Sequence, residues 1–180
     1  MKKSTFSTKH LTTFNELNNE IDWESLLLET PDKTNITPKD FILLAIGTPN
    51  KEKESLTMEI IDDKYNTEQD LIYVLVIEGK ILKFGKSITT MEKRILSYLT
   101  GKNSYRNKAK ATNSASNWFI LQSLLSIGLK VHIYGIFIPK TQGSFRGWEY
   151  QNRVSKEIEK ILLDNFKKKY HKSPIRNRQS

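Results

Sequence analysis

Residues 71–85 read LIYVLVIEGKILKFG, and this stretch decides the fold. Seven apolar residues, rich in β-branched and aromatic side chains, are followed by the polar segment Glu78-Gly79-Lys80 and a second apolar run. Two such runs joined by a short glycine-containing connection predict a β-hairpin. The chain is therefore expected to hold an antiparallel sheet in its second half.

The register of this hairpin follows from its side chains, because successive strand residues alternate between the two faces of a sheet. A three-residue connection makes one face fully apolar, with these pairs: Val76 with Leu82, and Val74 with Phe84. On the other face, Tyr73 pairs with Gly85 and Leu75 pairs with Lys83. We therefore predict that a phenol, an ammonium group and a bare backbone position share one surface.

Helix and strand signals alternate after the hairpin. Thr89 or Thr90 can cap a helix that runs to Thr100, where Gly101 stops it. The later elements are expected as follows: a helix over about 115–127, a strand over 130–138, an aromatic and glycine-rich loop over 139–148, and a long helix over about 149–169. This order predicts an α+β fold with a small, mainly antiparallel three-stranded sheet flanked by helices.

The first 70 residues read as a mainly helical region. An amphipathic pattern covers 11–28, and Thr37-Pro38 resembles a helix start before the apolar run at 41–46, with Pro49 as the stop. Residues 51–70 are mostly polar and are expected to connect this region to the second domain. We interpret 1–70 as an acidic arm, or as a source of dimer or DNA contacts, and 71–180 as the functional domain.

Charge divides the chain in the same place. Residues 1–70 hold 8 Lys and Arg against 14 Asp and Glu, a net −6, whereas residues 71–180 hold 21 against 6, a net +15. A block of positive charge favours a polyanionic partner, because phosphate neutralisation releases counterions. The alternative is a lysine-rich surface that only interacts with water. At this charge density, the sequence favours nucleic acid.

Residue usage limits the chemistry further. The chain has no cysteine and its three histidines are far apart in sequence, so thiolate zinc sites are excluded and any metal is expected to be held by oxygen. The longest apolar run, 41–46, is too short to span a bilayer. We expect a cytoplasmic protein without a membrane partner.

Two helices bring further side chains towards the hairpin. On the first, Arg94 and Tyr98 lie one turn apart beside an apolar stripe and can both reach the Tyr73 surface. On the last helix, Glu157 and Glu159 flank the inward side, and periodicity does not choose between them. Phe145 and Trp148 are expected to be packing groups.

The residues in this order resemble the GIY-YIG endonuclease superfamily over about 71–177. The resemblance is carried by Leu71-Ile72-Tyr73, then Lys83-Phe84-Gly85, an arginine on the next helix, the segment Glu159-x-x-Leu162-Leu163, and Pro174-x-x-Asn177. It implies a sheet between helices and a single divalent metal that assists hydrolysis of DNA. The sequence departs from the family pattern where Leu71 replaces glycine and where Lys83-Phe84 replace tyrosine and isoleucine.

Site roles follow from this resemblance. It implies that Tyr73 is the base or water-orienting group, that Arg94 stabilises charge on phosphorus, and that Glu159 holds one Mg²⁺. Lys83 is a sensible replacement for the second tyrosine, because a nearby cation favours a phenolate, and Tyr98 is a candidate for the missing hydroxyl. The expected DNA contacts are Gly85, Lys86, Arg106, Lys108, Arg146, Arg153 and Asn177.

A stand-alone type II restriction endonuclease fits this compact chain best. It would cut double-stranded DNA at a short defined sequence as a homodimer, because each subunit carries one active site. Base reading is expected in the segments 104–117 and 140–153, which contain Asn, Gln and Arg. Three alternatives are kept: a non-catalytic nucleic-acid-binding protein, a homing or repair nuclease of the same superfamily, and a nuclease of another superfamily that uses Glu78-x-Lys80 with Asp63 or Asp70.

Overall fold

The structure is a computed structural model that describes residues 9–30, 32–50, 55–106, 121–122, 124 and 127–177. In these residues, one sheet of five antiparallel strands forms the centre, in the order β4-β3-β7-β5-β6. Its strands are β3 (Ile42–Asn50), β4 (Ser55–Ile60), β5 (Leu71–Ile77), β6 (Lys80–Ser87) and β7 (Val131–Phe137). The three strands expected from the sequence are β5, β6 and β7, so the prediction of a three-stranded sheet is wrong by two strands.

Both additional strands come from the acidic half of the chain: β3 lies where a helix was expected, and β4 lies in the segment expected to be a connection. Thr37 does form a capping box, but with a single 3₁₀ turn, Pro38–Asp40, after which the apolar run enters β3. A short apolar run has no periodicity that distinguishes strand from helix. Pro49 does not end this element, because β7 pairs with β3 only as far as Gly47 and the proline therefore leaves no bond to β7 unmade.

The remaining N-terminal elements are short. They are α1 (Lys9–Asn18), a 3₁₀ turn at Trp23–Ser25, β1 (Leu28–Glu29), β2 (Asn35–Ile36) and α2 (Lys64–Thr67). Helix α1 therefore covers only the first part of the amphipathic pattern. No helix in the described part of the chain is long and apolar enough to cross a membrane.

The β5–β6 hairpin has the predicted register around the candidate site but not at its turn. Tyr73 pairs with Gly85 and Leu75 with Lys83, as predicted, whereas Val76 pairs with Ile81 and not with Leu82. The connection has two residues, Glu78 and Gly79, both with positive φ, as in a type I′ turn. An extra residue in β6, Leu82, forms a β-bulge that restores the predicted pairing beyond it.

The central strands are buried on both faces. One core contains Tyr73 and Leu75 with Met91 and Ile95 of helix α3 (Met91–Arg106), and the other contains Val74 and Phe84 with the last helix. Helix α3 is capped by Thr90, whose hydroxyl accepts a hydrogen bond from the backbone N–H of Lys93 at 3.4 Å. It continues through Gly101 to Arg106, so the predicted stop at Gly101 is wrong. Glycine weakens a helix interior by only about 1 kcal/mol, which neighbouring turns can offset.

The C-terminal part contains a second hairpin that was not expected. Strands β8 (Thr141–Phe145) and β9 (Trp148–Asn152) form a two-stranded sheet, and the last helix, α4 (Ser155–Tyr170), begins after them. The predicted loop over 139–148 is therefore largely strand, and the predicted helix start near 149 is too early. The predicted helix over 115–127 lies mostly outside the described residues.

Candidate functional site

A cleft of about 450 Å³ opens beside β6 at the edge of the main sheet. Strand β6 forms its floor, α3 one wall and α4 the other, because both helices pack on the sheet next to this strand. Its lining residues are Lys83, Gly85, Lys86, Ser87, Ile88, Thr89, Arg94, Ser97 and Glu159. Three cations therefore surround a single carboxylate.

Two tyrosines and an arginine form a hydrogen-bonded cluster beneath this cleft. The hydroxyl oxygens of Tyr73 and Tyr98 are 2.6 Å apart, and Arg94 Nε donates a hydrogen bond to the Tyr73 hydroxyl at 3.2 Å. Both tyrosines are fully buried, whereas Arg94 reaches the cleft. Burial raises the pKa of Tyr98 well above its usual range, and Tyr73 adds to this increase while the Arg94 charge opposes it. Tyr98 therefore stays protonated and can donate a hydrogen bond to the Tyr73 oxygen.

Gly85 determines where the Tyr73 ring can lie. The ring covers the backbone of its cross-strand partner: a Cβ atom on Gly85 would lie 2.8 Å from Cε1 of Tyr73 and closer still to Cζ and the hydroxyl oxygen. Carbon atoms in contact are normally about 3.5–4.0 Å apart. Only glycine leaves room for the ring at this position, which gives Gly85 a steric role in addition to lining the cleft.

Lys83 is a half-buried cation in a cationic environment. Burial, together with the positive charges of Arg94 and Arg176, lowers the pKa of its ammonium group to about 8, while Glu159 acts in the opposite direction. The amine and ammonium forms are thus close in free energy near neutral pH. Negative charge entering the cleft would favour the ammonium form.

Glu159 is the carboxylate that faces the cleft. Burial raises its pKa, an effect opposed by Lys83, Lys86 and Arg94 and by a hydrogen bond from the Lys86 backbone. Glu157 is exposed in the first turn of α4 and does not line the cleft. The structure thus distinguishes two glutamates that periodicity did not distinguish.

The chemistry of the cleft suits one hard cation such as Mg²⁺. The described residues contain no group of three His, Cys, Asp or Glu side chains close enough to hold a metal. Glu159 would be the protein ligand of an ion that keeps most of its water and takes further oxygen atoms from a phosphate, as Mg²⁺ commonly does. Glu159 is a half-buried carboxylate that faces this cleft, so its oxygen atoms fit such an ion.

Asn177 binds the backbone of β6, the edge strand that forms the floor of the cleft. Its side-chain oxygen accepts a hydrogen bond from the Phe84 N–H, and its amide nitrogen donates one to the Phe84 carbonyl oxygen, both at 2.9 Å. Phe84 lies between Lys83 and Gly85, so this pair of bonds fixes the strand that carries both. A DNA contact by the buried Asn177 stays a prediction.

Sequence reasoning missed Arg176. It is buried next to Asn177, and its charge acts on both Lys83 and Tyr98. Its place inside the Pro174-x-x-Asn177 motif was the available signal. Three cleft hydroxyls, Ser87, Thr89 and Ser97, were also missed, because small polar residues carry no distinctive pattern.

The other expected DNA contacts lie away from the cleft. Arg146 is at the tip of the β8–β9 hairpin, with its guanidinium 5.5 Å from the centre of the Phe145 ring. Arg153 Nε lies 3.7 Å from the buried carboxylate of Asp70. Lys108 and the side chain of Arg106 are outside the described residues. The structure therefore brings together Tyr73, Lys83, Gly85, Lys86, Arg94, Tyr98 and Glu159, and separates Arg146 and Arg153 from them.

The alternative acidic motif does not form a site. Glu78 is in the β5–β6 turn, and Lys80 makes a 2.8 Å ion pair with Asp22. Asp70 is paired with Arg153 at the other end of β5. These groups are too dispersed to act on one phosphate.

Comparison with known proteins finds four similar chains among the solved structures. No family model and no curated protein matches the chain. The structure of bacteriophage T4 EndoII, in a mutant form, covers 70% of this chain and 87% of its own at 22% identity and a TM-score of 0.54, a likeness that shows a shared fold. The structure of restriction endonuclease HPY188I in complex with product DNA covers 92% of this chain and 91% of its own at 36% identity and a TM-score of 0.60. A sequence identity of 36% over almost the whole of both chains shows that this chain belongs to the family of restriction endonuclease HPY188I.

Proposed function

We propose that this protein is a type II restriction endonuclease that hydrolyses phosphodiester bonds in double-stranded DNA at a short defined sequence. The cleft carries this proposal: Lys83, Lys86 and Arg94 surround Glu159, directly above the paired hydroxyls of Tyr73 and Tyr98. The resemblance to GIY-YIG nucleases and the membership of the HPY188I family support the same reading. The net charge of +15 over residues 71–180 matches a DNA partner.

The three cations are arranged for a phosphate. Arg94 projects from α3 into the cleft and can offer two parallel N–H groups to two phosphate oxygens, a geometry that lysine lacks. Lys83 and Lys86 approach from the strand below. Charge that develops on phosphorus during hydrolysis would thus be met by donors held in place before the reaction, which is usually the largest contribution to catalysis.

Tyr73 is the proposed base or water-orienting group. Its oxygen accepts a hydrogen bond from Arg94 and can accept another from Tyr98, so two donors hold this oxygen in position. The hydroxyl is buried in the DNA-free chain, with Arg94 between it and the cleft. Movement of Arg94 towards a bound phosphate would open the path by which a water molecule reaches Tyr73.

Glu159 is the proposed Mg²⁺ ligand. When bound, the ion would stabilise negative charge on the oxygen that leaves phosphorus. Because Glu159 is the one carboxylate that the described residues contribute to this site, we expect Mg²⁺ to bind firmly only when DNA supplies phosphate oxygens.

The described part of each chain supplies one proposed active site, and a double-strand break requires two. We therefore propose a homodimer related by a two-fold axis, the usual solution for symmetric DNA sites. Residues 1–70 are proposed to add dimer or DNA contacts to the basic domain at 71–180. Sedimentation of the purified chain, with and without DNA, measures the subunit number directly.

The test is cleavage of plasmid DNA with Mg²⁺, followed by mapping of the ends. Discrete fragments are expected for the native chain. Glu159→Gln should abolish cleavage while DNA binding in a gel-shift assay is retained, and Glu157→Gln, two residues earlier on the same helix, is the matched control that should still cut. Tyr73→Phe should also be inactive. Uncut plasmid that is nevertheless bound by the native chain would indicate a non-catalytic DNA-binding protein.

A further inference from the structure

The β8–β9 hairpin is the most exposed regular element of the described chain. Nine of its ten strand residues are exposed to solvent. Its two-residue turn, Arg146-Gly147, has positive φ at both positions, the type I′ geometry that suits the twist of a tight hairpin. An isolated two-stranded ribbon is marginal in water, so this element is expected to gain order from a partner.

The two faces of this ribbon differ in chemistry, because residues alternate along each strand. One face carries Phe145 opposite Trp148, and Tyr150 opposite Gly143. Trp148 is 80% exposed, which contradicts the expectation that it is a packing residue. The second face carries only hydrogen-bonding groups: Gln142 opposite Gln151, and Ser144 opposite Glu149. We call these the aromatic face and the amide face.

The amide face lacks what a protein partner requires. Cores of protein interfaces are rich in aromatic side chains and poor in charged ones, which describes the aromatic face and not its opposite. A second copy of the chain would therefore be expected to pack on Trp148 and Phe145. The amide face is left for a partner that offers directional donors and acceptors.

The dimensions and charge of the ribbon fit DNA. Five residues per strand give a length of about 17 Å, and the major groove, about 12 Å wide, accepts a two-stranded ribbon. Residues 140–153 hold three cations, Lys140, Arg146 and Arg153, against Glu149 alone. Strand β9 is joined by two residues to α4, which carries Glu159, so a ribbon in the groove would be directly linked to the cleft.

We propose that the amide face of the β8–β9 ribbon enters the major groove and reads base edges there. This inference rests on the proposed DNA-cutting function and adds the element that selects the sequence. Gln142 and Gln151 are suited to paired hydrogen bonds with N6 and N7 of adenine, and Glu149 to the N4 amino group of cytosine. Arg146, at the tip, supplies the phosphate contact that sets the depth of insertion.

The experiment compares two amides that are neighbours in β9 but lie on opposite faces. Cleavage rates of the native chain, Gln151→Ala and Asn152→Ala are measured on the mapped site and on sites that each carry one changed base pair. Gln151→Ala should lose roughly 5- to 150-fold of discrimination at one base pair, as expected for one bidentate contact, and Gln142→Ala should do the same. Asn152→Ala, on the aromatic face, should keep the discrimination of the native chain.

Other results would overturn the inference. Unchanged discrimination in Gln151→Ala, or equal losses in both variants, would remove the amide face from base reading. Loss of the dimer in Gln151→Ala, with cleavage reduced equally at every site, would assign this face to a second copy. A smear of ends from the native chain would refute the reading of base edges but not the cutting of DNA. DNA that is neither bound nor cut would refute the proposed function as well.

Discussion

Replacing Gly85 with alanine should displace the Tyr73 ring without changing the chemistry of its hydroxyl group. The added Cβ would lie 2.8 Å from Cε1 of the Tyr73 ring and closer to its outer atoms. Restoring an ordinary contact of about 3.5–4.0 Å requires the ring to move by about 1 Å. Tyr73 is fully buried and cannot rotate into solvent, so we expect the shift to disturb its contacts with Tyr98 and Arg94.

The expected cost follows from those contacts. The two hydroxyl oxygens are 2.6 Å apart, and the arginine bond is 3.2 Å long. A shift of about 1 Å exceeds the tolerance of a hydrogen bond. Misplacement of a catalytic group by this distance can reduce a rate by about 100-fold, and overpacking of a core costs about 1–3 kcal/mol. Gly85→Ala should therefore lower the cleavage rate by about 100-fold. It should also reduce the free energy of unfolding by about 1–3 kcal/mol.

The second hairpin supplies a matched control. A Cβ on Gly143 would lie 2.8 Å from Cε2 of Tyr150, the same cross-strand arrangement as that of Gly85 with Tyr73. Tyr150 is 53% exposed and can rotate into solvent. Gly143→Ala should therefore leave the midpoint of urea unfolding almost unchanged, although it adds the same methyl group beside the same kind of ring.

Three measurements test the Gly85 prediction: the cleavage rate, the free energy of unfolding in urea, and DNA binding in a gel-shift assay. Binding should be retained, because the cations of the cleft remain. Native cleavage rates in a folded Gly85→Ala protein would refute the reasoning, since the position of Tyr73 would then not matter. Equal destabilisation by Gly143→Ala would also contradict it, because the loss could not be assigned to a buried, immobile ring.

Two further substitutions address the supports of the cleft. Asn177→Ala removes both hydrogen bonds to the Phe84 backbone and should lower the free energy of unfolding by about 1–3 kcal/mol; a urea midpoint equal to that of the native chain would show that β6 does not need this contact. Tyr98→Phe removes one donor to the Tyr73 oxygen and should reduce kcat with KM little changed; an increase in KM at constant kcat would instead indicate a role in binding DNA.

The placement of Tyr73, Lys83 and Gly85 on one face was predictable, because these residues are close together in the sequence. Whether Tyr73, Lys83 and Gly85 share a face depends on the number of residues between two strands and on the alternation of side chains. The prediction assumed a three-residue connection, whereas the chain uses a two-residue turn and a bulge at Leu82. A three-residue connection and a two-residue turn with a bulge both place one extra residue between Ile77 and Lys83. The pairs from Leu75–Lys83 onwards therefore have the predicted register, although the turn does not.

The wrong predictions concern elements whose structure depends on distant partners. The apolar run that enters β3 becomes a strand because it fills the place between β4 and β7, and β7 is almost 90 residues later in the chain. The β8–β9 ribbon has alternating polar and aromatic residues around Arg146-Gly147, a pattern that does indicate a hairpin. It was interpreted as loop and helix because an exposed ribbon lacks the continuous apolar residues expected of a core strand.

The two Gly–Tyr pairs show why local sequence patterns predict the proposed catalytic centre more readily than the proposed recognition element. In both hairpins a tyrosine ring covers a glycine on the opposite strand. Only at Tyr73 is that ring buried and hydrogen-bonded to side chains from a helix, and those constraints limit which residues can occupy the surrounding positions. The amide face meets its constraints in the DNA that it is proposed to contact, so the sequence of this chain contains only the protein half of that interface.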